Sequence, residues 1–302
     1  MTGYYCPEHQ YNPPPGSGFA FCPRCECPEA FETHQVTTML ILSLFPGIDL
    51  LGRGFEAEGF CVVRGPDLIT GGDVRSFHPP AGRFEGVIGG PPCQDFSKAR
   101  RTPPTGEGLA MLAEFARVVT EAQPTWFLLE NVPTVPTIAV PGYAIQRFDL
   151  NARDCGLKQN RPRHFQYGDQ RGWIIIVARG RRVTDVEPCA TATEGRRPDR
   201  RTWADFCELQ GLPRDFDLPG MTREAKYRAV GNGVPIPMAQ AVAQSVTQAR
   251  APVGFRLCRC GCGRPATGKH DTATVACRKR LQRQRDATRH SHAGQVTPMF
   301  NL

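Results

Sequence analysis

The chain has 302 residues, 40% hydrophobic and 22% charged, with a formal net charge of +8 and 13 cysteines. That length allows one large domain or two modest ones with appendages, and no apolar run approaches the roughly 18–20 residues that cross a bilayer, so no membrane partner is expected. The charge is segregated: residues 250–302 carry 11 Lys and Arg against 2 Asp and Glu, while residues 1–249 carry 26 against 27, which excludes a uniformly basic protein and directs the tail toward a polyanion such as nucleic acid.

Residues 1–38 are rich in Cys, Pro and aromatics. The start has neither a basic region nor an apolar core, so no secretory leader is expected. Closely spaced cysteines then read as metal ligands in a reducing, cytoplasmic setting rather than as disulfides. Cys6-x2-His9 and Cys22-x2-Cys25 form two such knuckles, with Cys27 and His34 as spares; the pattern resembles a zinc ribbon. From residue 39 the character changes. Residues 39–45 read as a strand, Pro46-Gly47 as a turn, 50–59 as a helix, 60–64 as a second strand and 84–88 as a third. Apolar residues at 109, 112, 115, 116 and 119 predict a helix over 109–122. Strands are expected at 126–129 and 173–178, loop at 179–201, and helices at 202–210 and 237–248. This alternation predicts an α/β fold, a mostly parallel, doubly wound sheet with helices on both faces. Composition places domain boundaries after residues 38 and 249.

The densest chemistry is Gly89-Gly90-Pro91-Pro92-Cys93-Gln94, just past a strand end. Open α/β sheets present reactive groups there, prolines stiffen the loop, and glycines let the backbone pass close to a ligand. A thiol so held suits nucleophilic attack. Leu44-Phe45-Pro46-Gly47-Ile48-Asp49-Leu50 places a glycine at a strand-to-helix turn, and Asp67, with Asp73 behind it, follows the second strand as a candidate grip on ribose hydroxyls. Neither GxxxxGK[ST] nor a full GxGxxG occurs, which favours a nucleoside ligand without a polyphosphate. Glu130-Asn131-Val132 offers a strand-end carboxylate as acid or hydrogen-bond partner. In Gln159-Asn160-Arg161-Pro162-Arg163, the arginines alternate and are expected to point the same way. Gly231-Asn232-Gly233-Val234 precedes the last helix.

In this order and at this spacing, over roughly residues 42–246, these motifs resemble the cytosine-5 DNA methyltransferase family of bacterial or phage type. The resemblance implies a Rossmann-like catalytic domain, S-adenosylmethionine as methyl donor, and a cytosine flipped out of double-stranded DNA as acceptor, as in restriction-modification. It implies Cys93 as the nucleophile at ring carbon 6, Glu130 at ring nitrogen 3, and Arg163 at the base carbonyl, supported by Arg161 and Gln159. It also implies Phe45, Gly47, Asp67, Asp73, Pro91, Asn232 and Val234 as the cofactor pocket. Three positions depart from the family. Ser43 replaces a common acid, Asp49 replaces a second glycine, and Asp67 stands where a Glu is usual. The recognition region, expected at about 166–201, is short and arginine-rich.

At the C-terminus, Cys258, Cys260, Cys262 and Cys277 resemble a small Cys-rich finger followed by a basic helix. Ala273 replaces that finger's usual second late cysteine, so the fourth zinc ligand falls to Cys258 or His270. The basic helix over 278–289 is expected to bind phosphates. A monomer is expected. The alternatives are an RNA-directed enzyme of the same fold and an inactive zinc-finger DNA-binding protein.

Overall fold

The computed structural model describes residues 39–97, 100, 103–251, 256–260, 265–266, 271–272 and 275–283. The expected ligands Cys6, His9, Cys22, Cys25 and Cys262 lie outside the described residues, as do the spares Cys27, His34 and His270.

Six strands build the main sheet: β1 (Leu40–Leu44), β2 (Cys61–Arg64), β3 (Gly86–Gly89), β4 (Trp126–Asn131), β5 (Ala144–Asn151) and β6 (Pro162–Asp169). Their order is β2-β1-β3-β4-β6-β5. The first four are mutually parallel, whereas β6 runs antiparallel to both β4 and β5. This is the mostly parallel, Rossmann-like sheet. β3 and β4 are buried along their whole length, as continuous apolar runs are when helices cover both faces.

The two faces follow the two-residue period of the strands. Ile41, Ile88 and Leu128 pack on one side against Phe55 of α1 (Leu50–Ala57) and Met238 and Val242 of α5 (Ile236–Thr247). Leu42, Val87 and Phe127 pack on the other against Phe115, Val118 and Val119 of α2 (Glu107–Ala122). Two further helices, α3 (Trp203–Leu209) and α4 (Arg223–Asn232), lie in a third cluster around Phe206 and Tyr227. Thr202 and Thr222 cap them by accepting from the Asp205 and Ala225 amides, which satisfies amides that the first helical turn leaves without partners.

One expectation is corrected. Residues 173–178 form no strand; Ile174 makes an isolated bridge with Arg250. Ile174 and Ile175 are buried, which explains the apolar run. The Gln146 side chain of β5 pairs both backbone groups of Ile175, accepting from its amide at 2.9 Å and donating to its carbonyl at 2.8 Å. One amide side chain thus stands in for a strand ladder. At the start of the stretch expected at about 166–201, Gln166 to Asp169 belong to β6 and are buried in the sheet. The β5–β6 pair was not anticipated. Polar residues such as Gln146, Asp149, His164 and Gln166 interrupt its apolar pattern and hide the strands from a periodicity reading.

No described helix is long and apolar enough to cross a membrane. Where β4 meets β6, the backbone of Gly168 runs under the Phe127 ring: an added Cβ would sit 2.1 Å from Phe127 Cε1. Gly168→Ala is therefore expected to cost about 1–3 kcal/mol of unfolding free energy through overpacking. Gly180→Ala, whose new methyl would find its nearest neighbour at 3.5 Å, should leave stability unchanged. Urea unfolding of both variants checks this, as a lower midpoint at constant slope for Gly168→Ala alone.

Candidate active site

The carboxyl ends of β1, β3 and β4 point to the same edge of the sheet, the edge where α/β folds bind ligands. The loops leaving them enclose a cavity of about 350 Å³, within the range of small-molecule sites. Phe45, Gly47, Asp67, Asp73, Pro91, Asn232 and Val234 all line it, and so do Cys93, Glu130 and Arg163. Residues spread over almost 200 positions of sequence thus share one space.

One end is built by the turn between β1 and α1. Phe45, Gly47 and Asp49 alternate in left-handed backbone, with φ of 53°, 55° and 56°. For the two that are not glycine this costs on the order of 1 kcal/mol each, strain of the kind held at functional sites. Two carboxylates hold the turn. Asp67 accepts from the Gly47 amide and from the Ile69 amide, each at 2.8 Å. Asp49, fully buried, accepts from the Ser43 hydroxyl at 2.8 Å and caps α1 through the Gly52 amide at 2.9 Å. Arg64 Nε, at the end of β2, lies 3.0 Å from Asp49 Oδ2. Burial raises the Asp49 carboxyl above its usual range, and the Ser43 hydroxyl, the Gly52 amide and Arg64 pull it back. Asp73 accepts from the Arg75 amide at 2.9 Å and pairs with its guanidinium, which holds its carboxyl below the ordinary range.

The other end carries the reactive groups. Cys93, partly buried, follows the β3 loop, which Asn131 ties down by donating to the Pro91 carbonyl at 2.9 Å. Glu130, on β4, lies so close to this loop that a Cβ on Gly90 would come within 2.9 Å of its carboxylate. Arg163 Nε stands 3.0 Å from Glu130 Oε1. Burial pushes the Cys93 thiol up, the Glu130 charge adds to this, and Arg163 opposes it. Burial likewise raises the Glu130 carboxyl against the pull of Arg163 and Arg161.

Arg161 departs from the expected shared orientation. It does not line the cavity. Its buried guanidinium donates to the carbonyls of Ala190 (2.7 Å), Gly231 (2.7 Å) and Gly233 (2.9 Å). It clamps the Gly-Asn-Gly segment, and so sets Asn232 and Val234 against the cavity. Burial and the neighbouring Arg163 push it down to about 10, still protonated at neutral pH. Gln159 is also fully buried, donating to Gln210 Oε1 at 2.8 Å and to the Leu209 carbonyl.

Asn131 and Asp95 escaped the sequence reading as site-building residues. Asp95 accepts from the Thr105 and Gly108 amides at 2.9 Å and fastens the segment after Cys93 to the start of α2. Asn131 was visible within Glu-Asn-Val; for Asp95 no local pattern announces a partner ten residues away. Far from this edge in sequence, Cys258, Cys260 and Cys277 bring their three Sγ atoms within 4.8 Å of one another.

The sequence profile of C-5 cytosine-specific DNA methylases matches residues 69–175 and 190–248. The type II methyltransferase M.HgiDI of Herpetosiphon aurantiacus is 37% identical over 171 residues, covering 46% of this chain and 55% of the relative; this chain therefore spans about half of that relative's length. M.AquIA, a type II methyltransferase of Picosynechococcus, is 30% identical over 179 residues, covering 44% of this chain and 72% of the relative. Among solved structures, the Entamoeba histolytica methyltransferase EhMeth superposes with a TM-score of 0.51 at 12% identity, over 70% of this chain and 98% of the other, a likeness of fold. The profile match takes in Cys93, Glu130 and Arg163 and reaches Asn232 and Val234, so the reactive end of the cavity falls within it, whereas the turn between β1 and α1 and Asp67 precede it. By that match, which covers more than half of its length, this chain belongs to the C-5 cytosine-specific DNA methylase family.

Proposed function

We propose that the chain is a DNA (cytosine-5)-methyltransferase of restriction-modification type, acting in the cytoplasm as a monomer on double-stranded DNA. Residues 39–249 form its catalytic domain and 250–302 a DNA-linked module. The observation that carries this reading is the single cavity shared by the Phe45–Gly47–Asp67 end and the Cys93–Glu130–Arg163 end.

The first end fits S-adenosylmethionine. It offers an aromatic face at Phe45, backbone without a side chain at Gly47, and acids at Asp67 and Asp73 for hydroxyl and amino groups. When bound, that cofactor supplies an electrophilic methyl group on a positively charged sulfur. The residues of the second end prepare the acceptor. The Cys93 thiolate adds to carbon 6 of the flipped cytosine and turns a poor carbon nucleophile at position 5 into an enamine-like one. Glu130, protonated, donates to ring nitrogen 3, and its burial favours that neutral form. Arg163 steadies the base carbonyl oxygen. After the methyl group is on carbon 5, the proton there leaves and the carbon–sulfur bond to Cys93 breaks. A structural zinc ion belongs to the same reading, held at the C-terminal thiols.

The decisive experiment uses labelled S-adenosylmethionine with cytosine-containing duplex DNA. Label in DNA is expected from the wild type and none from Cys93→Ser. A duplex carrying 5-fluorocytosine should trap the protein covalently, because fluorine cannot leave as a proton does. Label confined to RNA, or DNA binding without label, would sink the reading.

The charges around Cys93 give a second expectation. Glu130 raises the thiol's pKa and Arg163 lowers it. Peptide-level mass spectrometry of iodoacetamide alkylation against pH should therefore find the Cys93 midpoint moved down in Glu130→Gln and up in Arg163→Ala. The thiolate is populated only as pH rises through that midpoint. Midpoints that stay put in both variants would count against the geometry.

The two arginines should also separate. Arg161→Ala leaves buried carbonyls without donors and is expected to cost about 3 kcal/mol or more in urea unfolding. Arg163→Ala should lower kcat strongly at nearly unchanged stability.

A further inference from the structure

The C-terminal segment holds a site that methyl transfer does not use. β7 (Arg256–Leu257) and β8 (Pro265–Ala266) pair, the turn after β7 carries Cys258 and Cys260, and a helix over 275–283 carries Cys277. All three thiols are buried, and the Sγ atoms of Cys258 and Cys260 lie 3.4 Å apart. Among the described residues, the apolar side chain packed on this cluster is the partly buried Leu281. Among the described residues, three sulfurs and one leucine make too little core to hold this segment without a cross-link. One disulfide cannot use three thiols, whereas a metal ion can. A tetrahedral zinc ion, with Zn–S bonds of about 2.3 Å, wants its sulfurs about 3.8 Å apart. The Thr272 hydroxyl of the same segment is buried and has no hydrogen-bond partner among the described residues.

The helix carries the second half of the argument. Cys277 and Leu281, one turn apart, face the cluster. Arg278, Lys279, Arg280 and Arg283 are exposed, and none forms an ion pair among the described residues. The arginine-rich stretch of the catalytic domain differs. There Arg179 and Arg182 pair with Asp154, Arg196 with Glu224, Arg197 with Asp199, and Arg201 with Glu187 and Glu194. Much of that stretch's positive charge is spent internally, while the helix cations are available to phosphates.

We propose that Cys258, Cys260 and Cys277 hold a zinc ion that fixes the helix over 275–283 as a clamp on the DNA backbone, separate from the methylation cleft. This rests on the reading of duplex DNA as substrate and names what the zinc is for. The clamp adds affinity without sequence preference, and each phosphate contact adds about 0.9 to the salt dependence of binding.

The test uses the full chain, with zinc measured by mass spectrometry, affinity for a short duplex of arbitrary sequence measured by anisotropy across a sodium chloride series, and S-adenosylmethionine binding measured by dialysis. Cys277→Ser is expected to lose one equivalent of zinc and about tenfold in DNA affinity at moderate salt, with cofactor affinity unchanged. Replacing Arg278, Lys279, Arg280 and Arg283 together by Ala should keep the zinc and lower the salt slope by about 3–4. Full zinc content in Cys277→Ser overturns the metal site. Zinc loss with unchanged affinity and slope overturns the clamp. Should Cys277→Ser lose cofactor binding too, the four-alanine variant decides, and an unaltered slope there overturns the proposal. Methyl transfer by the wild type is read separately, so its failure is told apart from failure of the clamp.

Discussion

The antiparallel register of β4 against β6 is the constraint on which the reactive end depends. Glu130 pairs with Phe165 and Asn131 with His164, which makes Arg163 the diagonal neighbour of Glu130 on the same face of the sheet. Diagonal partners lie within reach of long side chains, and the ion pair closes at 3.0 Å. A slip of one residue would turn Arg163 to the opposite face and leave Glu130 buried beside Cys93 with no cation. The reversal of β6 in an otherwise parallel sheet is thus what brings an arginine to a carboxylate located 33 positions earlier. An apolar pair on the same two strands, Phe127 over Gly168, holds this register, and the stacked rings of Phe148 and Phe165 hold that of β5 on β6.

The other end of the cavity rests on a different device, which joins Ser43 of β1 to Asp49 at the cap of α1. In the structure these are partners, with the Ser43 hydroxyl donating to Asp49. Asp tolerates left-handed backbone better than most residues do, because its short side chain bonds locally, and here it bonds to Gly52 while Arg64 balances its charge. Loss of either side chain would leave a buried polar group unmatched; together they keep the strained turn in place.

The sequence made legible what depends on local pattern. Apolar runs announced β1, β3 and β4, the helical period announced α2, and the residues flanking Cys93 announced its loop. It hid what depends on pairing over distance. β5 and β6 are punctuated by buried polar residues whose partners lie elsewhere, as when Gln146 matches the backbone of Ile175; the same apolar stretch then passed for a strand. Arg161 and Arg163 look equivalent as an alternating pair. Only the position of the Gly231–Gly233 carbonyls makes one a clamp and leaves the other facing the cavity.

The electrostatics of the cavity follow from this division. Burial and then the Glu130 charge favour the thiol form of Cys93, and Arg163, a cavity-lining cation, pairs with Glu130 and opposes this. In the proposed reaction, a cytosine entering between them would offer Arg163 a carbonyl oxygen and Glu130 a ring nitrogen. A proton taken up by Glu130 would remove the negative charge that opposes thiolate formation, leaving Arg163 to favour the anion. On that reading the thiolate forms most readily when the base is already in position. In the proposed mechanism, reactivity is coupled to occupancy through three side chains, which suits a nucleophile that must stay inert toward other electrophiles until its substrate has left the helix.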